Sequence, residues 1–139
     1  MTRIVIAPLL LGAAIAFAGP ACAEKFKATL DGKSEVPATT SAATGSADID
    51  YDAASKKLSW TVTYSGLTGP ATAAHFHGPA ESGKNAGVAV AIPNAGSSPV
   101  EGSATLTDAQ AADLESGKYY INIHTAANPG GEIRGQVTK

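Results

Sequence analysis

The most chemically suggestive feature of this 139-residue chain is the pair His75 and His77, which a single residue, Phe76, separates. If the segment 71–77 is a strand with Phe76 facing the core, both imidazoles point to the opposite face. Alternate strand residues lie about 6.6 Å apart along the backbone, from a rise of about 3.3 Å each. Two imidazoles at that spacing can converge on one ion.

The third histidine, His124, follows the same rule in a second segment, residues 119–125. Ile121 and Ile123 are expected to be buried there. Tyr120, Asn122 and His124 then face the other way. If this strand neighbours residues 71–77, all three histidines lie on one outer face. The alternation itself does not determine that the two strands are neighbours.

Three neutral imidazoles suit Cu(II) or Zn(II), and a water molecule or a side-chain oxygen can supply a fourth ligand. The candidate oxygens are those of Glu132, Glu81 and Asn122. The chain's single Cys and single Met both lie within the first 23 residues, so a site for Cu(I) is disfavoured. The alternative is that the histidines are polar strand residues or bind loop carbonyls, without any metal.

The first 23 residues have the pattern of a secretory signal peptide. Arg3 supplies the positive charge, residues 4–18 are almost wholly apolar, and the sequence ACA at 21–23 predicts cleavage after Ala23. The protein is therefore expected in the periplasm or the medium. Lipidation at Cys22 is the rival interpretation, but Pro20 and Ala21 suit a lipoprotein signal poorly. No other segment is long and apolar enough to predict a membrane span.

Residues 24–139 are predicted to form one domain. They keep nine of the ten Lys and Arg and all twelve Asp and Glu, for a formal charge of −3. The basic residues form no stripe, which argues against nucleic acid as a partner. The sequence also lacks a Gly-x-Ser-x-Gly elbow and a glycine-rich phosphate loop, so no motif indicates an enzyme.

Short alternating stretches between turn signals predict strands throughout this domain. A capping box, Thr107 with Gln110, predicts one short helix over about 107–116, which Gly117 ends. Seven or eight antiparallel strands with one helix indicate an all-β fold, either a β-sandwich or a flattened Greek-key barrel. The predicted strands are residues 26–30, 46–51, 58–64, 71–77, 88–92, 100–106, 119–125 and 132–137.

Several segments resemble the CHRD domain, a family named after chordin that includes small exported bacterial proteins. The segments are AHFHGPA at 74–80, YINIHT at 120–125 and NPGGEIRGQ at 128–136, with residues 26–37 and 67–80 fitting the opening half. The resemblance covers nearly all of residues 25–137. It implies an immunoglobulin-like β-sandwich similar to that of Cu/Zn superoxide dismutases, in which His75, His77 and His124 would match copper ligands.

The departures from a dismutase are large. The chain has three histidines in all and no Cys after residue 22, so it lacks the residues for both metal sites and for a stabilising disulfide. The favoured hypothesis is a non-catalytic exported module that binds a transition metal, copper before zinc, through the three histidines. The alternatives are a metal-free interaction or structural module of the cell envelope and, ranked third, a dismutase-like oxidoreductase.

Overall fold

Strict alternation of apolar and polar residues characterises the first three strands of the sheet. Strand β1 (Glu24–Asp31), β2 (Thr44–Asp52) and β3 (Lys57–Ser65) each bury every second side chain. Pairing continues over their whole length, with Phe26 opposite Ile49 and Ile49 opposite Trp60. Because side chains in a strand have a period of two, this register places all the large apolar residues on one face.

The remaining strands are β4 (Ala71–His77), β5 (Val88–Ile92), β6 (Val100–Thr105), β7 (Tyr120–Thr125) and β8 (Ile133–Gln136). The computed structural model describes residues 22–139. The predicted signal peptide falls almost wholly on residues 1–21, which lie outside the described part. The eight predicted strands are all present, with ends that move by one or two residues at most positions.

All eight strands join one antiparallel sheet in the order β5-β4-β7-β8-β1-β2-β3-β6. The two edge strands, β5 and β6, contact each other, so the sheet is nearly closed. This confirms the all-β prediction of a sandwich or flattened barrel. The order also shows that β4 and β7 are neighbours although more than 40 residues separate them in the chain.

The interior of this closed sheet holds the apolar core. Phe76 and Trp60 meet edge to face at its centre, with ring centroids 5.2 Å apart. Fully buried aliphatic side chains from other strands surround this pair, namely Leu30, Leu58, Ile121, Ile123 and Ile133. Burial of each such side chain stabilises the fold by about 1.5–3 kcal/mol. Because alternate side chains of a strand point to opposite faces, this burial also turns the intervening polar residues outward.

The single helix, α1 (Asp108–Glu115), begins as the sequence predicts. Thr107 accepts a hydrogen bond from the backbone N–H of Gln110, whose side chain accepts one from the N–H of Thr107. Leu114 and Ala111 face the core, and Gly117 follows with a positive φ of 72°. Within residues 22–139, no helix has the length and hydropathy of a membrane span.

Candidate metal centre

Phe76 determines where His75 and His77 point. Its side chain is completely buried in the core, so the residues on either side of it in β4 project from the opposite face of the sheet. The sequence predicted that this face is open to solvent, but in the structure it is partly covered. His77 is only 9% exposed, and His75 is half-buried. The difference arises because two loops fold back over this part of the sheet.

The third histidine reaches the same face through the neighbouring strand. β7 pairs with β4 so that Ala73 lies opposite His124 and His75 lies opposite Asn122. Ile121 and Ile123 are fully buried, which leaves Asn122 and His124 on the face of β7 that carries the histidines. The predicted parity of both strands is therefore confirmed, and the conditional step, their adjacency, is met.

One potential ligand atom from each of His75, His77 and His124 lies within 4.8 Å of the others. Ring centroids are 5.0 Å apart for His75 and His124, 5.4 Å for His75 and His77, and 6.2 Å for His77 and His124. In the part of the chain that the structure describes, this is the one group of three or more His, Cys, Asp or Glu residues that meets this distance.

Backbone carbonyls orient two of the three rings. His77 Nδ1 lies 2.9 Å from the carbonyl oxygen of Ala86, and His124 Nδ1 lies 2.8 Å from that of Pro129. A carbonyl oxygen only accepts, so each Nδ1 carries the proton and donates it. In a neutral ring, Nε2 then holds a lone pair, which is the form in which imidazole binds a metal.

The lone pair on His124 Nε2 faces His75, whose Nδ1 is 3.1 Å away. Without a metal, His75 Nδ1 donates a hydrogen bond across this gap. Two nitrogens bound to one tetrahedral zinc ion at 2.0–2.1 Å are separated by about 3.3 Å. The observed distance is close to that value, so these two rings can share an ion after a movement of a few tenths of an ångström.

Burial favours the neutral state that metal binding requires. It is the main reason that the pKa of His75 lies below the ordinary value, and the charges of His124 and His77 add to it. Burial likewise lowers the pKa of His77, while the Ala86 carbonyl opposes it. A positively charged imidazole in this cluster is disfavoured by desolvation and by its neighbours.

An aromatic and cationic stack covers the side of the cluster next to His77. The Tyr120 ring lies parallel to the His77 ring, with centroids 4.9 Å apart and 3° between the planes. Arg134 Cζ lies 3.4 Å from the Tyr120 centroid on the same ring. The Tyr120 hydroxyl donates to the Ala86 carbonyl and accepts from the Ala86 N–H. This stack holds the carbonyl that orients His77.

Arg134 fastens the rest of that loop. Its guanidinium donates to Asn85 Oδ1 at 2.8 Å and to the carbonyl of Lys84. Arg134 is nearly completely buried. Burial of a cation is costly unless hydrogen bonds compensate for it, and these two acceptors do so. The loop after β4 is thus fixed at residues 84–86 by side chains from β7 and β8.

The three candidate oxygen ligands lie in different places. Glu132 is fully buried, and its carboxylate accepts hydrogen bonds from Thr68 and Asn128. Glu81 is exposed in the loop after β4 and is not part of the histidine group. Asn122 lies directly across from His75, buried, with Oδ1 lacking any hydrogen-bond partner within the described residues. Of the three, Asn122 is the one beside the histidines.

Sequence reasoning placed Tyr120 on the face of Asn122 and His124, but it did not single out Glu35 as a neighbour of the histidines. Glu35 belongs to the loop between β1 and β2, and Arg134 to the last strand, so no local spacing relates them to the cluster. The strand parity of Tyr120 is confirmed, since its ring lies against that of His77.

Comparison with known proteins identifies the family. The CHRD domain profile matches residues 26–137, which is most of the chain. Neither the curated proteins nor the solved structures contain a significant match. The similarity to the dismutase sandwich therefore stays a prediction. The match runs from within β1 to just past β8 and contains both histidine segments, and the chain belongs to the CHRD domain family.

Proposed function

We propose that this protein is an exported, non-catalytic module that binds one transition-metal ion through His75, His77 and His124. The orientation of the rings supports the proposal most strongly. The hydrogen bonds of His77 and His124 to loop carbonyls leave the Nε2 lone pairs of both rings available to the cluster. Histidine ligands in metalloproteins are usually fixed by such a second hydrogen bond.

Two orphaned atoms add support. His77 Nε2 and Asn122 Oδ1 are both buried, and neither has a hydrogen-bond partner within residues 22–139. The Asn122 carboxamide is close enough to raise the pKa of His77 against the larger effect of burial. Both atoms are acceptors, so they cannot bind each other, and a cation between them satisfies both. Asn122 Oδ1 is accordingly the proposed fourth ligand.

Copper is the favoured ion and zinc the alternative. Imidazole nitrogen suits both, and the same donor set generally binds Cu(II) more tightly than Zn(II). The described residues near the cluster supply no thiolate, which disfavours Cu(I). Export to the periplasm or medium rests on residues 1–23 alone, and amino-terminal sequencing of the secreted protein tests whether it begins at Glu24.

The test is a calorimetric titration of chelator-treated residues 24–139 with Cu(II) and, separately, Zn(II). We expect one ion per chain and, in the variant His75→Ala/His77→Ala/His124→Ala, at least a 100-fold loss of affinity. A matched control carries three outward alanine substitutions on β2 and β3, at Ser46, Thr61 and Thr63.

The control is expected to bind as the wild type does. Equally weak binding by the wild type and the triple histidine variant would contradict the proposal and favour the metal-free interaction module. Metal analysis of untagged protein from its native compartment then identifies the ion. Superoxide removal well above that of free copper would instead favour the oxidoreductase alternative.

A further inference from the structure

A buried carboxylate, that of Glu35, lies next to the Asn122 side chain. Glu35 is only 6% exposed, and its Oε1 has no hydrogen-bond partner within the described residues. Burial raises the pKa of this carboxyl, while Arg134 and the Asn122 carboxamide oppose the rise. A carboxylate placed in the interior without a direct partner is costly, so its position calls for a physical reason.

Gly131 brings Glu35 and Asn122 together. A Cβ at Gly131 would collide with both Glu35 Oε1 and Asn122 Nδ2, so the two atoms lie over the same point of the turn. The φ of Gly131 is 125°, which side-chain-bearing residues rarely adopt. Absence of a side chain at this position is what allows the carboxylate to approach the amide.

The chemistry of the carboxylate determines which way the amide faces. A carboxylate only accepts hydrogen bonds, whereas a carboxamide has one accepting and one donating end. Glu35 therefore selects the NH₂ end of Asn122, and Oδ1 is left to the other side, where His77 lies. The Gly130 carbonyl, 3.4 Å from Asn122 Nδ2, favours the same orientation.

We infer that Glu35 is a positioning residue of the metal centre, which acts by holding Asn122 with its oxygen toward the ion. The inference rests on the proposed function. It assigns a role to a loop residue that lies far from the histidines in the chain. It also accounts for two buried acceptors, Asn122 Oδ1 and His77 Nε2, that lie in neighbouring side chains and both lack a donor.

The alternative orientation shows what Glu35 prevents. If Asn122 were reversed, its NH₂ group would donate to His77 Nε2 and occupy the lone pair that the metal needs. A neutral partner at position 35 permits this reversal, because a glutamine amide can donate to Asn122 Oδ1. The negative charge also compensates part of the charge of a divalent ion held by four neutral ligands.

The experiment measures zinc and copper affinity of Glu35→Gln and Glu35→Asp beside the wild type. Loss of the carboxylate, or its withdrawal by one methylene, is expected to weaken binding by about 10- to 100-fold, as for other outer-shell partners of metal ligands. Glu101→Gln, which removes an exposed charge on β6, is the control and is expected to bind as the wild type does.

A double-mutant cycle separates positioning from a general electrostatic effect. In an Asn122→Ala background, Glu35→Gln is expected to cause little further loss, because the residue through which it acts is gone. Zinc is also expected to shift the ¹⁵N resonance of the Asn122 side chain in the wild type and not in Glu35→Gln.

Three outcomes overturn the inference: unchanged affinity in Glu35→Gln, full affinity in Glu35→Asp, or additive losses in the cycle. Each of these leaves the three-histidine site intact. Absence of binding by the wild type would instead contradict the proposed function itself, and the inference with it.

Discussion

Two buried carboxylates adjoin Gly131, Glu132 as the next residue in the chain and Glu35 by contact, and their surroundings differ. Glu132 is fully buried, and its oxygens accept hydrogen bonds from the backbone and hydroxyl of Thr68 and from Asn128. Glu35 is nearly as buried, yet its Oε1 has no partner within the described residues. The first carboxylate is satisfied in the protein alone, and the second is not.

The comparison distinguishes a carboxylate that is fully paired within the fold from one that lies beside a candidate metal ligand, Asn122. Satisfied groups such as Glu132 tie loops together, here the β3–β4 loop to the turn before β8. Glu35, by contrast, lies beside Asn122, which lies near His77, and each of these three side chains has an unpaired buried atom. Buried polar atoms are seldom left unpaired in proteins, so a cluster of them indicates a missing partner.

The largest expected effect comes from Glu132. Replacement by alanine leaves Thr68 and Asn128 without their buried acceptor, so Glu132→Ala is expected to lower the free energy of unfolding by about 3 kcal/mol. The triple histidine variant, measured with chelator present, is expected to lower it by less, about 1–2 kcal/mol, because the three rings make three neutral hydrogen bonds in all and two of the rings are partly exposed. Urea unfolding of both proteins makes the comparison.

A loss of similar size in the two variants would erase the distinction between the two carboxylate regions. In that case the histidines would be structural residues, and the cluster would owe its geometry to the fold alone.

Metal addition is expected to stabilise the folded wild type through the three histidines. With free ion at 100 times Kd, the wild type is expected to gain about 2.7 kcal/mol in unfolding free energy, since the ion binds the folded state alone. The triple histidine variant is expected to gain nothing. Thermal unfolding at matched ion concentrations measures the gain, and an equal rise in both proteins would point to non-specific binding.

The smallest effect concerns an orphaned atom outside both regions. The Tyr119 hydroxyl is buried beside the apolar core without a partner within residues 22–139, and burial raises its pKa to about 12. Tyr119→Phe is therefore expected to stabilise the protein by about 1 kcal/mol at pH 7. An isolated orphan of this kind is a cost, whereas we propose that the clustered ones bind a ligand.

The same substitution predicts a pH dependence. The unfolded tyrosine ionises near pH 10, while the folded one stays neutral to about pH 12. Between pH 10 and 12 only the unfolded state loses this proton, so the free energy of unfolding is unaffected below pH 10 and falls over that range. By pH 11 the wild type is expected to lose about 1 kcal/mol more than Tyr119→Phe. Parallel urea curves at both pH values would contradict the assignment.

The strands and the parity of the histidines could be predicted because both depend on neighbours in the chain. Phe76 between two histidines, and Ile121 and Ile123 around Asn122, determine side-chain direction through an alternation that spans only a few residues. The helix was equally local, since Thr107 and Gln110 form the capping box that the sequence predicts.

The solvent environment of the histidines and the choice among the three fourth-ligand candidates could not be predicted in that way. The face that carries His77 was expected to be open, and residues 84–86 cover it because Tyr120 and Arg134 bind them. Glu132, Glu81 and Asn122 were equivalent candidates on the sequence, as each offers an oxygen. Only the folded chain separates a carboxylate that is already paired from an amide oxygen that is free.

The amino-acid sequence by itself determined the class of fold, the eight strands and the face on which each histidine lies, because steric alternation acts between adjacent residues. The tertiary structure alone decided that β4 and β7 are neighbours and that Glu35 reaches Asn122. Those contacts join residues more than 40 positions apart, and their stability depends on how the whole sheet closes around its core.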